Sequence, residues 1–452
     1  MSTVSVRHAV ANRRTFLAAL TIGGIVLTGC SANSSSSNST SNSTQSATSA
    51  EATTVTVMYA GNEFSKKDIA AFEQANPTIK INFIEFDQTR LNAMLTAGDP
   101  PDLVRGTPSA NLFARGLATP LDDYVKNSTV IKADDLEAVN NAWRYDGKVR
   151  GQGKLYGIVK DWSPDMTIWQ NQGIFEKAGV QPLSTTTAST WEDVLTAGKA
   201  LKDKGVKNSF GIEWQWGVAY LLQTLILQQG GTYYNDDLTS VNLQTPEAIK
   251  AVQFLTDYGK AGVGPTSLGP LADGMNLPVF AKGDMAMSMD GYWFGGGLQA
   301  QEAAAVAARV SLAPAPTWGK HIDTVIGGVG AWIPEKAKHK DAAWKVMEYF
   351  MAGPPAIERA KSGWGLPAMK SLWAQLPATA PYQKQAIETA KAELPYVTFL
   401  PDSPFISGDE WNKIVDEALK GTINGSSTPA DALKTIETKV NEALVKGKDQ
   451  LG

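Results

Sequence analysis

A single cysteine, Cys30, is the feature that most limits what this chain of 452 residues can fold into. One thiol excludes an intramolecular disulfide, so any fold must be held by core packing alone. With 43% hydrophobic residues, the chain can bury a sizeable core. The formal net charge of -4 argues against a nucleic-acid surface, which would need clustered positive charge.

The residues before the cysteine have the organisation of an export signal. Two adjacent arginines precede an apolar run, 16–27, that is too short for a comfortable permanent membrane span. The arginines and the following TFL resemble a twin-arginine (Tat) signal, although Asn12 and Ala18 depart from that pattern and leave a Sec signal open. We predict a signal peptide over residues 1–29.

The sequence LTGC that ends at Cys30 resembles the bacterial lipobox, in which the cysteine receives a diacylglycerol. Burial of acyl chains contributes about 0.8 kcal/mol per CH2, which would anchor the protein at the extracellular face of the cell membrane. The segment 30–54 is rich in Ser, Thr and Asn, and we predict that it is a flexible tether. The alternative to lipidation is that Cys30 is a buried core cysteine. The alternative to a flexible tether is an O-glycosylated stalk.

From residue 55 onward, short strands alternate with amphipathic helices. An alternating strand at 55–59 precedes a helix capped by Ser65, and a second strand begins at Ile79. A second helix stops at Gly98, and GDPPDLV leads into a third strand. This order predicts an α/β fold with mixed, mainly parallel sheets covered by helices.

Several segments, taken in order, resemble one family. They include AAFEQANPTIKINFIEF, LNAMLTAGDPPDLV, YGIVKDWSPDMTIWQNQGIFEKAGV, TWEDVLTAGKAL, LQTPEAIKAVQFLTDY, VFAKGDMAMSMDGYW and VIGGVGAWIPEKAKHKDAAWKVMEYFM. The chain is similar to extracellular solute-binding proteins of bacterial carbohydrate ABC importers, the maltose-binding-protein-like lipoproteins of family 1. The resemblance extends from Val55 to about Pro367.

This resemblance implies two α/β lobes with a ligand cleft between them. The first lobe would hold 55–161 and 287–330, and the second would hold 162–286 and 331–452. The chain would cross between lobes near 162, 285–290 and 328–334. A monomer would deliver a carbohydrate, most simply an oligosaccharide, to ABC permease transmembrane subunits driven by a separate ATPase, without a cofactor, a metal or a catalytic residue.

Five tryptophans in apparent loops are candidates for the cleft. A sugar ring offers apolar C–H faces and a rim of hydroxyls, which aromatic rings and planar polar side chains can satisfy. The candidates stand beside small or polar residues in KDWSPD, IEWQWGV, MDGYWFGGG and KSGWGLP. In IEWQWGV we expect an extended segment with both indoles on one face. Packing between lobes is the alternative for each; the five are Trp162, Trp214, Trp216, Trp293 and Trp364.

Polar residues at predicted strand ends complete the candidate site, because open α/β sheets bind ligands there. Asp290 and Tyr292 follow an alternating strand, and Asn62 and Glu63 follow the first strand. Asp161 is a candidate because it precedes Trp162 at an expected crossing between lobes. Two further candidates carry different arguments. Arg90 could donate two hydrogen bonds, although a surface ion pair explains it equally well, and Gly328 would let a backbone amide approach a hydroxyl.

Other functions remain open. Tyr233-Tyr234 allows a ferric-iron receptor, and a polyamine or peptide receptor would need only a different cleft. A secreted glycan-acting enzyme would need two carboxylates flanking a glycosidic bond. However, no GxSxG elbow occurs, and the three histidines, His8, His321 and His339, are scattered.

Overall fold

The computed structural model describes residues 52–451. The predicted signal peptide, Cys30 and the tether as far as Glu51 lie outside the described residues. Within residues 52–451, no helix combines the length and the apolar character that a membrane crossing requires.

Fourteen strands occur in the described part of the chain. They are β1 (Thr53–Tyr59), β2 (Ile79–Glu85), β3 (Leu103–Gly106), β4 (Arg144–Tyr145), β5 (Lys154–Leu155), β6 (Ile158–Trp162), β7 (Ile168–Asn171), β8 (Gly211–Ile212), β9 (Met287–Met289), β10 (Val310–Ala313), β11 (Asp323–Val325), β12 (Val329–Trp332), β13 (Leu366–Pro367) and β14 (Val397–Phe399).

The α-helices of the same region number sixteen. They are α1 (Lys66–Ala75), α2 (Gln88–Ala97), α3 (Ala110–Ala114), α4 (Asp122–Asn127), α5 (Gln172–Ala178), α6 (Trp191–Asp203), α7 (Trp214–Gln228), α8 (Pro246–Ala261), α9 (Asn276–Ala281), α10 (Phe294–Gly297), α11 (Ala304–Ala307), α12 (Lys340–Ala352), α13 (Pro354–Ser362), α14 (Pro381–Glu393), α15 (Gly408–Asn424) and α16 (Pro429–Leu451). Short 3₁₀ helices cover Ala138–Trp143, Gln301–Ala303, Lys370–Gln375 and Leu394–Tyr396.

Local sequence signals set the ends of the first helices as predicted. The Ser65 side chain accepts a hydrogen bond from the backbone N–H of Asp68 at the start of α1. Gly98 ends α2 in the left-handed conformation, with φ of 74°. These signals act over a few residues, which is why the alternation of strands and helices can be read directly from the chain.

A six-stranded sheet forms the first lobe, in the order β13-β6-β12-β3-β1-β2. Strands β1, β2 and β3 are parallel, but β12 runs antiparallel to β3 and to β6, and β13 runs antiparallel to β6. The sheet is mixed, as predicted, yet it is not mainly parallel. The reason is that β6, β12 and β13 are not reached through the βαβ crossovers that give parallel neighbours.

A four-stranded sheet forms the second lobe, in the order β10-β7-β9-β8. Only the β8–β9 pair is parallel. Strand β9 lies between two neighbours, so Met287–Met289 belongs to this sheet, whereas the sequence analysis expected residue 287 onward in the first lobe. The chain therefore does not cross between the sheets at 287–289 as expected. All three residues of β9 are buried, and the strand lies inside the four-stranded sheet.

Three segments lead from one sheet to the other. Residues 163–167 join β6 to β7, residues 314–328 return from β10 to β12, and residues 376–380 lead from the 3₁₀ helix at Lys370–Gln375 to α14, which packs on β10. Strand β11 lies in the second of these connections and pairs in parallel with β14, which follows α14. Two buried hydrophobic clusters accompany the sheets, one centred on β1, β3 and α12 and the other on α7, α8, α15 and α16.

Candidate functional site

A cavity of about 840 Å³ lies between elements of the two lobes. The first lobe contributes α2, the residues after β3 and Arg150, and the second contributes α7, Tyr234 and the ends of α15 and α16. The volume falls within the range of roughly 300–1,000 Å³ that small-molecule sites occupy. We call the two sides the first-lobe wall and the second-lobe wall.

The first-lobe wall is built at the carboxyl ends of two adjacent parallel strands. Strand β1 ends before Glu63, and β3 ends at Arg105 and Gly106, so both ends meet at one edge of the sheet. The Glu63 carboxylate accepts two hydrogen bonds from Arg105, at 3.1 Å from Nε and 2.8 Å from Nη2. Arg105 itself lines the cavity. A bidentate pair of this kind fixes the plane of the guanidinium.

This pair continues into a buried ionic cluster, which we define as Glu63, Arg105, Lys160, Asp161 and Arg359. The Lys160 ammonium lies 2.5 Å from Glu63 and 3.2 Å from Asp161, and Arg359 Nε donates to Asp161 at 2.6 Å. The side chains of Glu63 and Asp161 are each 11% exposed, and that of Lys160 is 6% exposed. With three cations and two carboxylates, the formal charges nearly cancel.

The pKa of Glu63 shows how firmly the cluster holds its charges. Burial acts to raise this pKa, but the hydrogen bonds and charges of Arg105 and Lys160 outweigh it and lower the pKa to about 2. Burial lowers the pKa of Lys160, while the charge of Asp161 acts in the opposite direction. The cluster is thus a set of mutually satisfied ions beside the cavity.

Two tryptophans lie against the ionic cluster. The rings of Trp293 and Trp364 are stacked, with centroids 6.2 Å apart and an interplanar angle of 16°, and the Arg359 guanidinium lies 5.5 Å from the Trp364 ring centre. Trp162, next to Asp161, is 6% exposed, and its indole N–H donates to the Pro367 carbonyl at 3.4 Å. The structure therefore brings these three predicted indoles to one region.

Gly328 lets a crossing segment pass close to this region. Its φ is 73°, and a Cβ atom at this position would lie 2.5 Å from Val159 Cγ1 and 2.9 Å from the Asp161 carbonyl oxygen. Only glycine fits both the backbone conformation and the space. Six of the twelve predicted site residues gather in this part of the molecule; they are Glu63, Asp161, Trp162, Trp293, Gly328 and Trp364.

The second-lobe wall carries aromatic side chains, and single hydrogen bonds, not an ion network, orient its residues. Trp216 is 46% exposed and lines the cavity. Trp411 lines it as well, and its indole N–H donates to the Tyr234 hydroxyl at 2.7 Å. Asn412 fixes the neighbouring helix, because its side-chain oxygen accepts from the backbone N–H of Ala219 at 3.0 Å.

Asp402 connects the two walls. Its carboxylate accepts a hydrogen bond from the backbone N–H of Ala110 in α3 at 2.7 Å and lies 3.4 Å from Nε of Arg150. Burial raises the pKa of Asp402, and the charge of Arg150 opposes that shift. Both Arg105 and Arg150, which reach the cavity from the first lobe, therefore already have carboxylate partners.

IEWQWGV forms a helix and not the expected extended segment. Helix α7 begins at Trp214, with Glu213 as the residue before it. Trp214 is 1% exposed, donates to Asp416 at 2.7 Å and stacks on Tyr258, whereas Trp216 faces the cavity. The two indoles therefore do not share a face. The expectation failed because α7 is buried on most sides, and its apolar pattern lacks the helical period.

Of the twelve predicted residues, Trp216 alone lines the cavity, and the six gathered around the ionic cluster lie beside it. Asn62 and Arg90 are exposed, and Tyr292 is 3% exposed within the core. Asp290 is 2% exposed and accepts from Ser288 at 2.5 Å. Burial, followed by the nearby charge of Glu213, raises the pKa of Asp290 well above its ordinary value.

Several residues of this region were missed by the sequence reasoning. Arg105 could have been found, because it stands at the end of a predicted strand just as Glu63 does. Lys160 precedes the predicted Asp161 directly. Arg359 gave no signal, since it lies on α13 and is 198 residues from the Asp161 carboxylate that it contacts.

The tyrosine pair considered for iron has other partners. The Tyr233 hydroxyl donates to the Pro401 carbonyl at 3.1 Å, and the Tyr234 hydroxyl accepts from Trp411. Among residues 52–451, no group of three or more His, Cys, Asp or Glu residues is placed to hold a metal ion.

Comparison with known proteins defines the class of this two-lobe molecule. Residues 59–354 match the family described as bacterial extracellular solute-binding protein, and the chain belongs to that family.

Two curated relatives are each 24% identical to this chain. One is an uncharacterized ABC transporter extracellular-binding protein of Pyrococcus horikoshii, matched over 64% of this chain and 65% of its own length, just under two thirds. The other is the sn-glycerol-3-phosphate-binding periplasmic protein UgpB of Escherichia coli, matched over 81% of this chain and 85% of its own length.

A solved structure shares the fold. It is the ABC substrate-binding protein Lmo0181 of Listeria monocytogenes in complex with cycloalternan, which superposes with a TM-score of 0.71 at 24% identity. The superposition covers 87% of this chain and 99% of that one.

Proposed function

We propose that this chain is the extracellular solute receptor of a bacterial ABC importer and that its solute is a carbohydrate, specifically an oligosaccharide. The observation that carries the proposal is the cavity of about 840 Å³ between the lobes, with planar ions on one wall and indole rings on the other. A sugar offers hydroxyls to the first kind of group and apolar C–H faces to the second.

The charge state of the cavity supports a neutral solute. Arg105 is engaged by Glu63, and Arg150 by Asp402. The two other lining cations, Arg115 and Lys446, are offset in formal charge by the lining acids Asp409 and Glu410, so the charges around the cavity nearly balance. Arg105 and Arg150 each retain N–H groups beyond those used in the ion pair, because a guanidinium carries five donors. Donors that are already neutralised suit hydroxyl groups, which carry no charge.

The two-lobe arrangement supplies the mechanism. A solute that contacts both walls binds the closed form more tightly than the open form and shifts the population toward closure. The permease subunits would then recognise the closed protein, and a separate ATPase would drive transport. No bond in the solute has to break, which distinguishes this role from that of a glycan-acting enzyme.

Lipidation of Cys30 would place the receptor at the outer face of the cell membrane after export by the Tat or Sec route. The Ser-, Thr- and Asn-rich tether that precedes β1 would let the folded monomer reach its permease. Metabolic labelling with a radioactive fatty acid tests this part, since a Cys30→Ser variant should lose the label.

A second candidate solute is a small phosphate ester. A relative is named for sn-glycerol-3-phosphate, and the ionic cluster holds three cations against two carboxylates. A dianionic phosphate would need more positive charge than the single excess cation of this cluster. We therefore place this candidate second.

A thermal-shift screen of the full chain decides between the two. A ligand present at a hundred times its dissociation constant adds about 2.7 kcal/mol of stability. We expect stabilisation by neutral oligosaccharides and none by sn-glycerol 3-phosphate. Stabilisation by the phosphate ester alone would contradict the proposal and support the second candidate.

A further inference from the structure

The chain between β14 and α15, residues 400–407, runs along the cavity and is held by the second lobe. The Tyr233 hydroxyl donates to the carbonyl of Pro401 at 3.1 Å. The Ser403 hydroxyl donates to the carbonyl of Leu238 at 2.8 Å. Helix α15, which follows, packs on α7, α8 and α16 in the hydrophobic cluster of the second lobe. We call residues 400–407 the bridging segment, because they also contact the first lobe.

Helix α3 of the first lobe binds the bridging segment from the other side. The backbone N–H of Ala110, the first residue of α3, donates to Asp402 Oδ2 at 2.7 Å. The side-chain amide of Asn111 donates to the Pro404 carbonyl at 2.8 Å. Helix α3 follows β3, which lies inside the six-stranded sheet. These two bonds therefore join the first-lobe sheet to the segment that leads into the second-lobe helices.

Arg150 adds a second connection from the first lobe. It lies between β4 and β5, which pair with each other, and its side chain is 9% exposed. Its Nη2 donates to the Leu400 carbonyl at 3.2 Å, and its Nε lies 3.4 Å from Asp402 Oδ2. One carboxylate oxygen of Asp402 thus contacts two separate parts of the first lobe, α3 and Arg150.

These contacts are placed where a change in lobe separation acts on them directly. Movement of α3 away from the bridging segment breaks the bond from Ala110 and the bond from Asn111 together. The Ala110 bond has a carboxylate as its acceptor, and hydrogen bonds to ionised groups are about twice as strong as neutral ones. Each contact is made between groups of the protein, so the contacts act in the solute-free molecule.

We propose that Asp402 is an inter-lobe latch, a positioning residue that holds α3 and Arg150 of the first lobe on the bridging segment and so favours the approach of the two cavity walls before a solute binds. When only a fraction of a receptor is in its binding-competent form, its apparent affinity is reduced by that fraction. The latch raises the fraction and with it the affinity. The inference depends on the two-lobe architecture and not on which solute is bound.

The distance between the lobes in the solute-free protein tests the latch. Asp402 itself lines the cavity, so solute affinity alone would not separate a latch from a direct contact with the solute. Spin labels at Lys80→Cys and Lys250→Cys, in a Cys30→Ser background, give the distance distribution by double electron–electron resonance. In Asp402→Ala, we expect the ratio of short to long distances to fall by about tenfold, the effect of losing one hydrogen bond to a charged group.

Two further variants show whether the change belongs to the latch. Asp402→Asn keeps an oxygen that can accept from Ala110 but loses the charge opposite Arg150, so its shift should be smaller than that of Asp402→Ala. Glu417→Gln, an exposed change on α15, should leave the distance distribution unchanged. A melting curve of each variant shows that it is folded.

An unchanged distance distribution in Asp402→Ala would overturn the proposal, and so would an equal shift in Glu417→Gln. If Asp402→Ala does not fold, Asn111→Ala removes the bond to Pro404 and makes the same test from the first lobe. The samples contain no solute. Failure of the latch therefore leaves the thermal-shift screen unaffected, and the latch and the solute assignment are tested separately.

Discussion

The two walls of the cavity are ordered by different forces. On the first-lobe wall, Glu63 and Arg105 belong to a chain of five ions, none more than 23% exposed, in which each charge has a partner. On the second-lobe wall, Trp216 is 46% exposed, and the Trp411 ring is oriented by one hydrogen bond to Tyr234. An ion network fixes the direction in which its hydrogen-bond donors point, and aromatic rings supply apolar surface for contact with a solute. A solute with hydroxyl edges and apolar faces is what such a pair of walls can bind.

Removal of Glu63 should be the most damaging change to the first-lobe wall. Glu63→Ala leaves Arg105 and Lys160 buried without their shared carboxylate, and we expect a loss of about 3–5 kcal/mol in the free energy of unfolding. Urea denaturation measures it. Glu358→Gln breaks an exposed pair with Lys361 and should leave the midpoint unchanged. Equal effects of the two variants would show that the cluster is not a buried network.

A matched pair of tryptophans tests the second-lobe wall. Trp411 is 4% exposed, so Trp411→Ala should cost about 3–5 kcal/mol of stability. Trp216→Ala should cost less than about 0.5 kcal/mol of stability, because that ring is exposed.

The same Trp216→Ala variant should weaken binding of a stabilising oligosaccharide by about 1–2 kcal/mol. Calorimetric titration measures the binding affinity of the variant, and a melting curve measures its stability separately. Unchanged affinity would remove Trp216 from the site.

The crossing beside the ionic cluster can be tested through its glycine. Gly328→Ala should cost about 1–3 kcal/mol, because alanine would adopt a left-handed φ and meet Val159 and Asp161 at short distance. Gly269→Ala is the control, since a Cβ atom there meets no atom within 4 Å. Melting temperatures compare them, and an unaffected Gly328→Ala would show that the close approach is not needed.

The stability contributions of Glu63 on the first-lobe wall and of Asp165 in the crossing segment 163–167 should change with pH in opposite directions. Glu63 has its pKa lowered from 4.5 to about 2, so its stabilising contribution is present above pH 4.5 and is lost as the pH falls toward 2. Asp165 has its pKa raised from 3.8 to about 7, chiefly by burial, so its contribution is present below pH 3.8 and is lost as the pH rises toward 7.

Denaturation midpoints across this pH range, with Asp165→Asn alongside, measure the contribution of Asp165. The variant should lose the decline between pH 3.8 and 7. A decline of the same size in the variant would assign it to other groups.

Features set by neighbouring residues were predictable from the sequence. The cap at Ser65 and the stop at Gly98 follow from side chains within one helical turn. The strand-end argument pointed to Glu63 for the same reason, since it needs only the end of the first strand.

Features set by distant contacts were not predictable in this way. The helix at Trp214 is buried on most sides, so its sequence shows no period that separates it from a strand. The place of β9 depends on pairing with β7 and β8, and the role of Arg359 depends on a partner 198 residues away. No local pattern records these contacts.

Closure of the two walls over a neutral sugar is tested most directly by an inter-lobe distance. Spin labels are attached at Lys80→Cys in the first lobe and Lys250→Cys in the second, and Cys30→Ser removes the native thiol. Double electron–electron resonance then reports the distance between the labels. The account predicts that the distance shortens when an oligosaccharide identified in the thermal-shift screen is added. A distance that stays the same on saturation with that sugar would contradict it.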